Sequence, residues 1–506
     1  MEDSGLTLAK AAVGSICLTV QNFISMFIGV LGYAFLARFI TQEEMGVVGG
    51  LTLLTTFVQL LSDFGLNATV ARFVSALRGR KEDVSPHVFS ALSFRILICS
   101  LIIVISFLLS PIISLILLES TSYQTIIILV VFESFLLSVS HLLHHILLGL
   151  GKIKNIAIYG VLSSIVRWIC VIVFLLNGYG LIGLAIGWVM GGLVALLLYS
   201  MTVIKNVRSR TQAAQKYVPL LLSLLRFSWP IYMSSIIHFL YTWYDRVLIL
   251  TFLTLPDLGV YNVVYQAFSI PILIATSLGS SLLPYYGMAY GAENEEAITF
   301  GVRRVSKYSM LIVSPLILGL AATAKPVVTL FAGQQYESGW PVLTLLSLFG
   351  LIYGLLPAFS SLLLVYGKTK IILLVNAASI VLSMVFLPLL STLGLEGLAV
   401  MKGVSFLFSF LFSLYFVSKT VRIKFDGKAV LKILASSIVM VLLVTLVQQL
   451  AYNKFFLPAY VILGGIVYLL MIRFFKVLNN EDFQLIREIF GERVSKHVGH
   501  ILGVKP

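Results

Sequence analysis

The residues able to do chemistry in this chain are few, and most sit where ionisable groups are expensive. Between Leu220 and Tyr261 a hydrophobic run is interrupted by Trp229–Pro230, His238 and Tyr244-Asp245-Arg246. Arg167 stands in the middle of Ser163-Ser-Ile-Val-Arg-Trp-Ile169, and Glu133 inside another apolar run. Asp63, Arg95, Arg226 and Lys402 are similarly embedded. Charged groups inside a membrane span face a protein-lined or watery interior and mark ion or substrate pathways. An arginine there either pairs with a carboxylate or clasps an oxyanion through two parallel hydrogen bonds. A buried carboxylate without a partner tends to take up a proton. The chemistry on offer is therefore ion pairing, anion binding or coupling to H+ or Na+.

These groups need elements to hold them. Of the 506 residues 59% are hydrophobic and 11% charged, with a mean hydropathy of +1.03. A soluble chain carries about 25% charged residues, so this one is a polytopic membrane protein. The net charge of +14 does not point to nucleic acid, because the basic residues fall in short gaps between apolar runs and not on one soluble face. Cys17, Cys99 and Cys170 lie in apolar runs without pairing or CxxC spacing, which assigns them no redox or metal role. The N-terminus begins acidic, and the apolar run from Leu8 is too long for a cleavable signal, so it reads as the first span.

Crossing the hydrocarbon takes about 20 apolar residues. Runs of that length fall at 10–37, 45–66, 88–117, 123–149, 156–177, 181–204, 219–253, 259–285, 304–331, 339–366, 371–393, 396–418, 429–451 and 456–477. The expectation is an all-α integral membrane protein of about fourteen transmembrane helices, since a lipid-facing backbone must satisfy its own hydrogen bonds. Lys and Arg crowd alternate gaps: Arg72, Arg78, Arg80 and Lys81; Lys152 and Lys154; Lys205 to Lys216; Arg303 and Arg304; Lys368 and Lys370; Lys419 to Lys428. The positive-inside rule puts that side, with both termini, in the cytoplasm. The even span count agrees.

Three phrases repeat in the same order. Phe39 to Val47 matches Phe252 to Val260 at an offset of 213 residues. Gly151-Lys-Ile-Lys154 matches Gly367-Lys-Thr-Lys370 at 216, and Gly180 to Ile186 matches Gly394 to Val400 at 214. The offset spans six helices, which makes the duplication parallel in the membrane. The organisation expected is a first six-helix lobe (1–204), a cytoplasmic linker (205–218), a second lobe (219–418), an extra helix pair (419–477) and a cytoplasmic tail (478–506).

This pattern resembles the multidrug/oligosaccharidyl-lipid/polysaccharide exporter superfamily. Leu61-Ser-Asp-Phe-Gly-Leu66 running into Ala71-Arg-Phe73, and Asp245-Arg-x-x-Ile249 followed by Gly259-Val-Tyr261, are similar to its polysaccharide-transporter and O-antigen-flippase branch. The resemblance implies two lobes around a central cationic cavity, and transfer of a lipid-linked saccharide from the cytoplasmic to the outer leaflet of the cell membrane by alternating access. The implied partner is an isoprenoid phosphate or pyrophosphate carrying an oligosaccharide, with membrane lipid around it, no nucleic acid, and one chain forming the cavity alone as a monomer. The lipid II flippases of the superfamily carry arginines in the first span; here only Gln21 and Asn22 stand there, which argues against lipid II.

On this reading the cavity cations are Arg167, Arg246, Lys402, Arg95 and Arg226, with His238 lining the wall and Asp245, Glu133 and Asp63 as coupling or gating groups. Each has a plainer account. Arg167 and Glu133 could simply pair, and Arg95 and Arg226 snorkel to the interface more readily than they bind cargo. Asp63 serves as a helix breaker and cap. Asp245 and Arg246 point about 100° apart on a helix, so each is expected to need its own partner. His141, His144 and His145 share a face but lack a further ligand for a metal. Tyr241 to Tyr244 read as interfacial anchors. Pro230, Pro271, Pro284, Pro315 and Pro357 interrupt spans as candidate hinges. No cofactor is implied: Gly367-Lys-Thr369 lacks the glycine of a nucleotide-binding loop, Leu362 standing in its place. The competing functions are a cation-coupled multidrug exporter and a membrane-embedded polysaccharide polymerase or ligase. The excess of intramembrane arginine favours the flippase over the first. Loops of about 20 residues or fewer, too short for a catalytic domain, disfavour any enzyme.

Overall fold

The computed structural model describes residues 2–207, 217–421, 426–479, 482 and 487; most of the expected linker and tail lies outside them. The first compact unit, Met1–Asn262, contains α1 (Glu2–Phe39), α2 (Gln42–Asp63), α3 (Leu66–Gly79), α4 (Ser85–Leu108), α5 (Ser110–Leu118), α6 (Gln124–Gly149), α7 (Ile153–Leu176), α8 (Gly180–Asn206), α9 (Tyr217–Phe252) and the first turns of α10 (Leu255–Ser281). The second unit, Val263–Pro506, holds the rest of α10, then α11 (Leu283–Gly291), α12 (Glu295–Ala322), α13 (Ala324–Phe331), α14 (Trp340–Tyr353), α15 (Leu356–Val365), α16 (Thr369–Met384), α17 (Pro388–Ser418), α18 (Gly427–Leu450) and α19 (Leu457–Phe474). No strand occurs among the described residues. Thirteen helices there are long and apolar enough to cross a membrane. The chain is a multi-pass membrane protein.

All fourteen expected runs are helical, but proline cuts several of them. Pro111, Pro284, Pro357 and Pro388 each sit at the first positions of a new helix (α5, α11, α15 and α17). Proline has no N–H to donate to the preceding turn, so a helix restarts there at no cost. The run 371–393 is thereby cut to a 16-residue helix, α16, shorter than a full span. Pro230, Pro271 and Pro315 lie inside continuous helices.

The repeated phrases have repeated geometry. At the start of α2, Thr41 Oγ1 accepts from the Glu44 N–H while Glu44 accepts from the Thr41 N–H, a capping box. At the start of α10, Thr254 and Asp257 make the same reciprocal pair. Gly151 and Gly367 both take positive φ, +70° and +67°. Each ends its helix with paired bonds: Gly151 to Leu148 and Lys152 to Leu147, then Gly367 to Leu364 and Lys368 to Leu363. Gly180 and Gly394 likewise take +51° and +55°.

The first phrase and its copy also touch. A Cβ on Gly46 would stand 1.9 Å from the Leu255 carbonyl oxygen, and one on Gly259 would stand 2.0 Å from that of Gln42. The contacts are reciprocal, as across a local two-fold axis. Glycine at both positions lets the two helix starts cross backbone to backbone, the usual way for helices to pack closely in lipid.

Candidate functional site

The polar groups of the first unit gather where α2 breaks. The break is made by Phe64 (φ +48°) and Gly65 (φ +72°). Asp63 secures it by accepting from the Gly65 N–H (3.2 Å) and the Asn67 N–H (3.3 Å), the capping role expected of it. Gly65 is required twice over, since a Cβ would also lie 2.6 Å from the Ser228 carbonyl oxygen of α9.

Arg95 reaches this break from α4. Its Nη2 donates to Asp63 Oδ1 (2.8 Å) and to Asn67 Oδ1 (3.2 Å), and its Nη1 to Ser138 Oγ (2.9 Å) and the Ser138 carbonyl (3.1 Å). Ser62 and Ser138 share a further bond of 2.6 Å. Arg95 is 1% exposed, so the snorkelling expected of it does not occur. Acceptors at its own depth, from α2, α3 and α6, hold it inside instead. Arg226 is exposed on α9 and makes no such cluster.

This network floors a recess of about 570 Å³. One wall is a polar stripe of α2, with Thr56, Gln59 and Asp63; the facing wall is a stripe of α9, with Ser234, Ser235, His238 and Thr242. Positions i, i+3 or i+4, and i+7 or i+8 lie on one helix face, so both stripes are written in the sequence as polar residues at helical spacing inside apolar runs. Reading only the charged residues misses them, and misses Gln59, Asn67, Ser138 and Thr242 in particular. His141, Phe239 and Trp243 complete the lining. Trp243 and the buried Tyr241 and Tyr244 therefore pack inward, not as interfacial anchors.

A second pair lies elsewhere in the unit. Glu133 is fully buried, with Arg167 Nη1 at 3.4 Å from Oε1 and the Thr55 hydroxyl donating to Oε2 at 3.5 Å. The Arg167 guanidinium also sits 4.5 Å above the Trp188 ring. Gly191 makes the room, since a Cβ there would stand 2.6 Å from the Arg167 Cβ. Pairing of the two, the plainer expectation, is what occurs.

Asp245 and Arg246 do pair with each other, contrary to the expectation from helical geometry. The arginine side chain is long enough to fold back, placing Nη1 3.5 Å from Asp245 Oδ1. Its guanidinium stacks 4.4 Å above Trp243, and the Tyr261 hydroxyl donates to Asp245 Oδ2. Lys402 is buried in the second unit, 6.0 Å from the Phe406 ring centre. Of the nine candidates, the recess collects Asp63, Arg95 and His238. His144 and His145 pack ring to ring (5.2 Å), and no cluster able to hold a metal occurs among the described residues.

One cluster was not anticipated. Asp482, in the tail, is 1% exposed and bound by Lys307 Nζ, Arg304 Nη1 (3.3 Å) and the Tyr308 hydroxyl (2.7 Å) of α12. Burial pushes its carboxyl up, but bonds from Lys307, the Asn479 N–H and Tyr308 outweigh that and hold it below the ordinary value. Its ligand Arg304 reads in the sequence only as an orienting charge, and Lys307 carries no signal there.

The charges of these two ion pairs, Asp63–Arg95 and Glu133–Arg167, have no counterpart in the second copy of the repeat. At offsets of 213 to 216, Asp63, Arg95, Glu133 and Arg167 all meet uncharged residues, among them Ser277, Ser309, Ser347 and Val381. The same six-helix plan is thus built once with these ion pairs and once without.

Comparison with known proteins agrees with the fold. The chain is 23% identical over 433 residues to Agl15 of Haloferax volcanii, described as a probable low-salt glycan biosynthesis flippase, covering 85% of this chain and 88% of that one. It is 27% identical over 128 residues to the teichuronic acid biosynthesis protein TuaB of Bacillus subtilis, about a quarter of each chain (25% and 26%). Among solved structures, the lipid II flippase MurJ in an inward closed conformation superposes with a TM-score of 0.73 at 17% identity, over 92% of this chain and 98% of that one. An inward-facing multidrug-resistance transporter of the same superfamily gives 0.60 at 14%, over 78% and 95%. The family model for polysaccharide biosynthesis proteins matches residues 35–341. The chain therefore belongs to the polysaccharide biosynthesis protein family and has the fold of the multidrug/oligosaccharidyl-lipid/polysaccharide exporters.

Proposed function

We propose that the protein is a flippase that carries a lipid-linked oligosaccharide, on an isoprenoid phosphate or pyrophosphate, from the cytoplasmic to the outer leaflet of the cell membrane by alternating access. The observation that carries this reading is the polar recess in the first unit, walled by hydroxyls, amides and imidazoles within otherwise apolar helices. Such a lining suits a head group rich in hydroxyls and offers little to an apolar drug cation. The absence of these charges from the second copy of the repeat supports a functional reading, because the helix plan does not need them.

Energy comes from an H+ or Na+ gradient acting on the carboxylates Asp63, Glu133 and Asp245, each held by an arginine whose bond must loosen when the carboxylate is neutralised. Arg167 meets the cargo's phosphate when Glu133 releases it, and Lys402 and Arg226 add positive charge along its path. Both termini face the cytoplasm, and a single chain suffices. The test is a leaflet-resolved translocation assay in proteoliposomes with a lipid-linked oligosaccharide, run with and without H+ and Na+ gradients. Transfer no faster than in empty liposomes would sink the proposal.

A further inference from the structure

We infer that the recess of the first unit is a subsite for uncharged sugar residues of the cargo and takes no part in holding its phosphate. The inference rests on the flippase reading and assigns the recess one portion of the substrate. Two arginines lie at or beside the recess, and both are ion-paired. Arg95 is bound to Asp63 at 2.8 Å, with Asn67 and Ser138 taking its remaining Nη donors. Arg246, stacked on the recess residue Trp243, is paired with Asp245. The four charges sum to zero. A phosphate seeking Arg95 would have to displace a carboxylate or lie against it, and like charges at such separations repel strongly away from bulk water.

What the recess does offer is the chemistry of sugar recognition. Hydroxyls of Thr56 and Ser235 donate to their own helix backbones at Thr52 and Ile231, which leaves their lone pairs to accept from a ligand. Gln59 supplies an amide with donors and an acceptor together, matching the mixed character of a sugar hydroxyl. Trp243 and Phe239 present aromatic surface for the C–H face of a pyranose. At about 570 Å³ the space falls inside the range of about 300–1,000 Å³ usual for small-molecule sites, room for a short stretch of glycan and not for a whole polymer.

The test uses the full chain in nanodiscs and two lipids. One is the polyprenyl-linked oligosaccharide extracted from membranes of the producing cells; the other is bare polyprenyl pyrophosphate. Wild type should bind the first at least tenfold more tightly. Ser235→Trp, which fills the recess, should erase that preference while leaving affinity for the bare lipid within twofold, and this retained binding reports an intact fold. Trp243→Ala should weaken only the glycosylated lipid, and inorganic pyrophosphate should not compete in the recess. A wild type that binds both lipids equally overturns the inference, as does a filled variant that loses both or neither. Preferential binding by wild type without translocation would sink the flippase reading and leave the sugar subsite standing.

Discussion

The Arg95–Asp63 pair can be tested as an energetic unit. Arg95→Met removes a side chain that is 1% exposed and leaves the Asp63 carboxylate, 19% exposed, without its cation. Breaking a buried pair on one side costs about 3–5 kcal/mol, and the partial exposure of Asp63 sets the lower end here, about 3 kcal/mol. Asp63→Asn keeps an acceptor for only one of the Gly65 and Asn67 N–H groups, which bond to separate carboxylate oxygens, and it strands a buried guanidinium, so it should cost at least as much. The double variant leaves no buried charge unpaired, and replacing both members of a buried pair is often nearly neutral. The cycle should therefore show a coupling of at least about 3 kcal/mol, at or beyond the top of the range for residues in one network. Unfolding in mixed micelles by titration with sodium dodecyl sulfate measures it. Single losses that add to within about 0.5 kcal/mol would refute the reasoning, because independent sites behave that way. A double variant that recovers stability and also transports at the wild-type rate would assign the pair to structure alone.

Arg167→Ala should cut transport at least tenfold while leaving insertion intact, read by translocation per inserted molecule; normal transport would remove Arg167 from the cargo path. Gly46→Ala and Gly259→Ala should each destabilise by about 1–3 kcal/mol, the usual cost of overpacking, and by similar amounts because their contacts are reciprocal. A large difference between the two, measured by the same titration, would break the local two-fold relation. Asp482→Asn should release the tail from α12, seen as faster amide exchange or proteolysis around Asn479 with transmembrane helices unaffected. Since the Asp482 carboxyl is held below its ordinary value, the docking it provides is fully present above the unfolded value and fades only as pH falls through the lowered one. Tail protection should thus be flat between about pH 8 and 5, well above the ordinary carboxylate value of about 3.9. Loss of protection near neutrality would contradict the assignment.

The chain shows which physical signals survive in sequence. Span positions were legible because a helix in lipid must be apolar along its whole length. The duplication was legible because its markers are helix ends, where only a few residue types work. Thr41 with Glu44 and Thr254 with Asp257 form the same cap, and Gly151 and Gly367 take the same left-handed turn. Helix breaks were less legible, because proline at 230, 271 or 315 reads like proline at 284, 357 or 388. Whether a helix continues depends on its neighbours, and the sequence does not display them.

Partnerships were the least legible. Arg95 and Asp63 are 32 positions apart on different helices, and nothing local distinguishes a clamped arginine from one that snorkels. Asp245 and Arg246 misled in the opposite sense, because backbone direction says little about where a long, flexible guanidinium ends. The polar stripes of α2 and α9 carried a signal that inspecting charges alone passes over. Thr56, Gln59 and Asp63 recur on one face, as do Ser234, His238 and Thr242. Duplication separates what this fold needs from what this protein does. Caps, turns and small crossing residues recur in both copies because both must fold. The paired charges at 63 and 95 and at 133 and 167 occur in one copy only. Burying ion pairs costs desolvation free energy, and the second copy shows that six helices of this plan pack without them. Their presence in the first copy is therefore not a requirement of the six-helix plan.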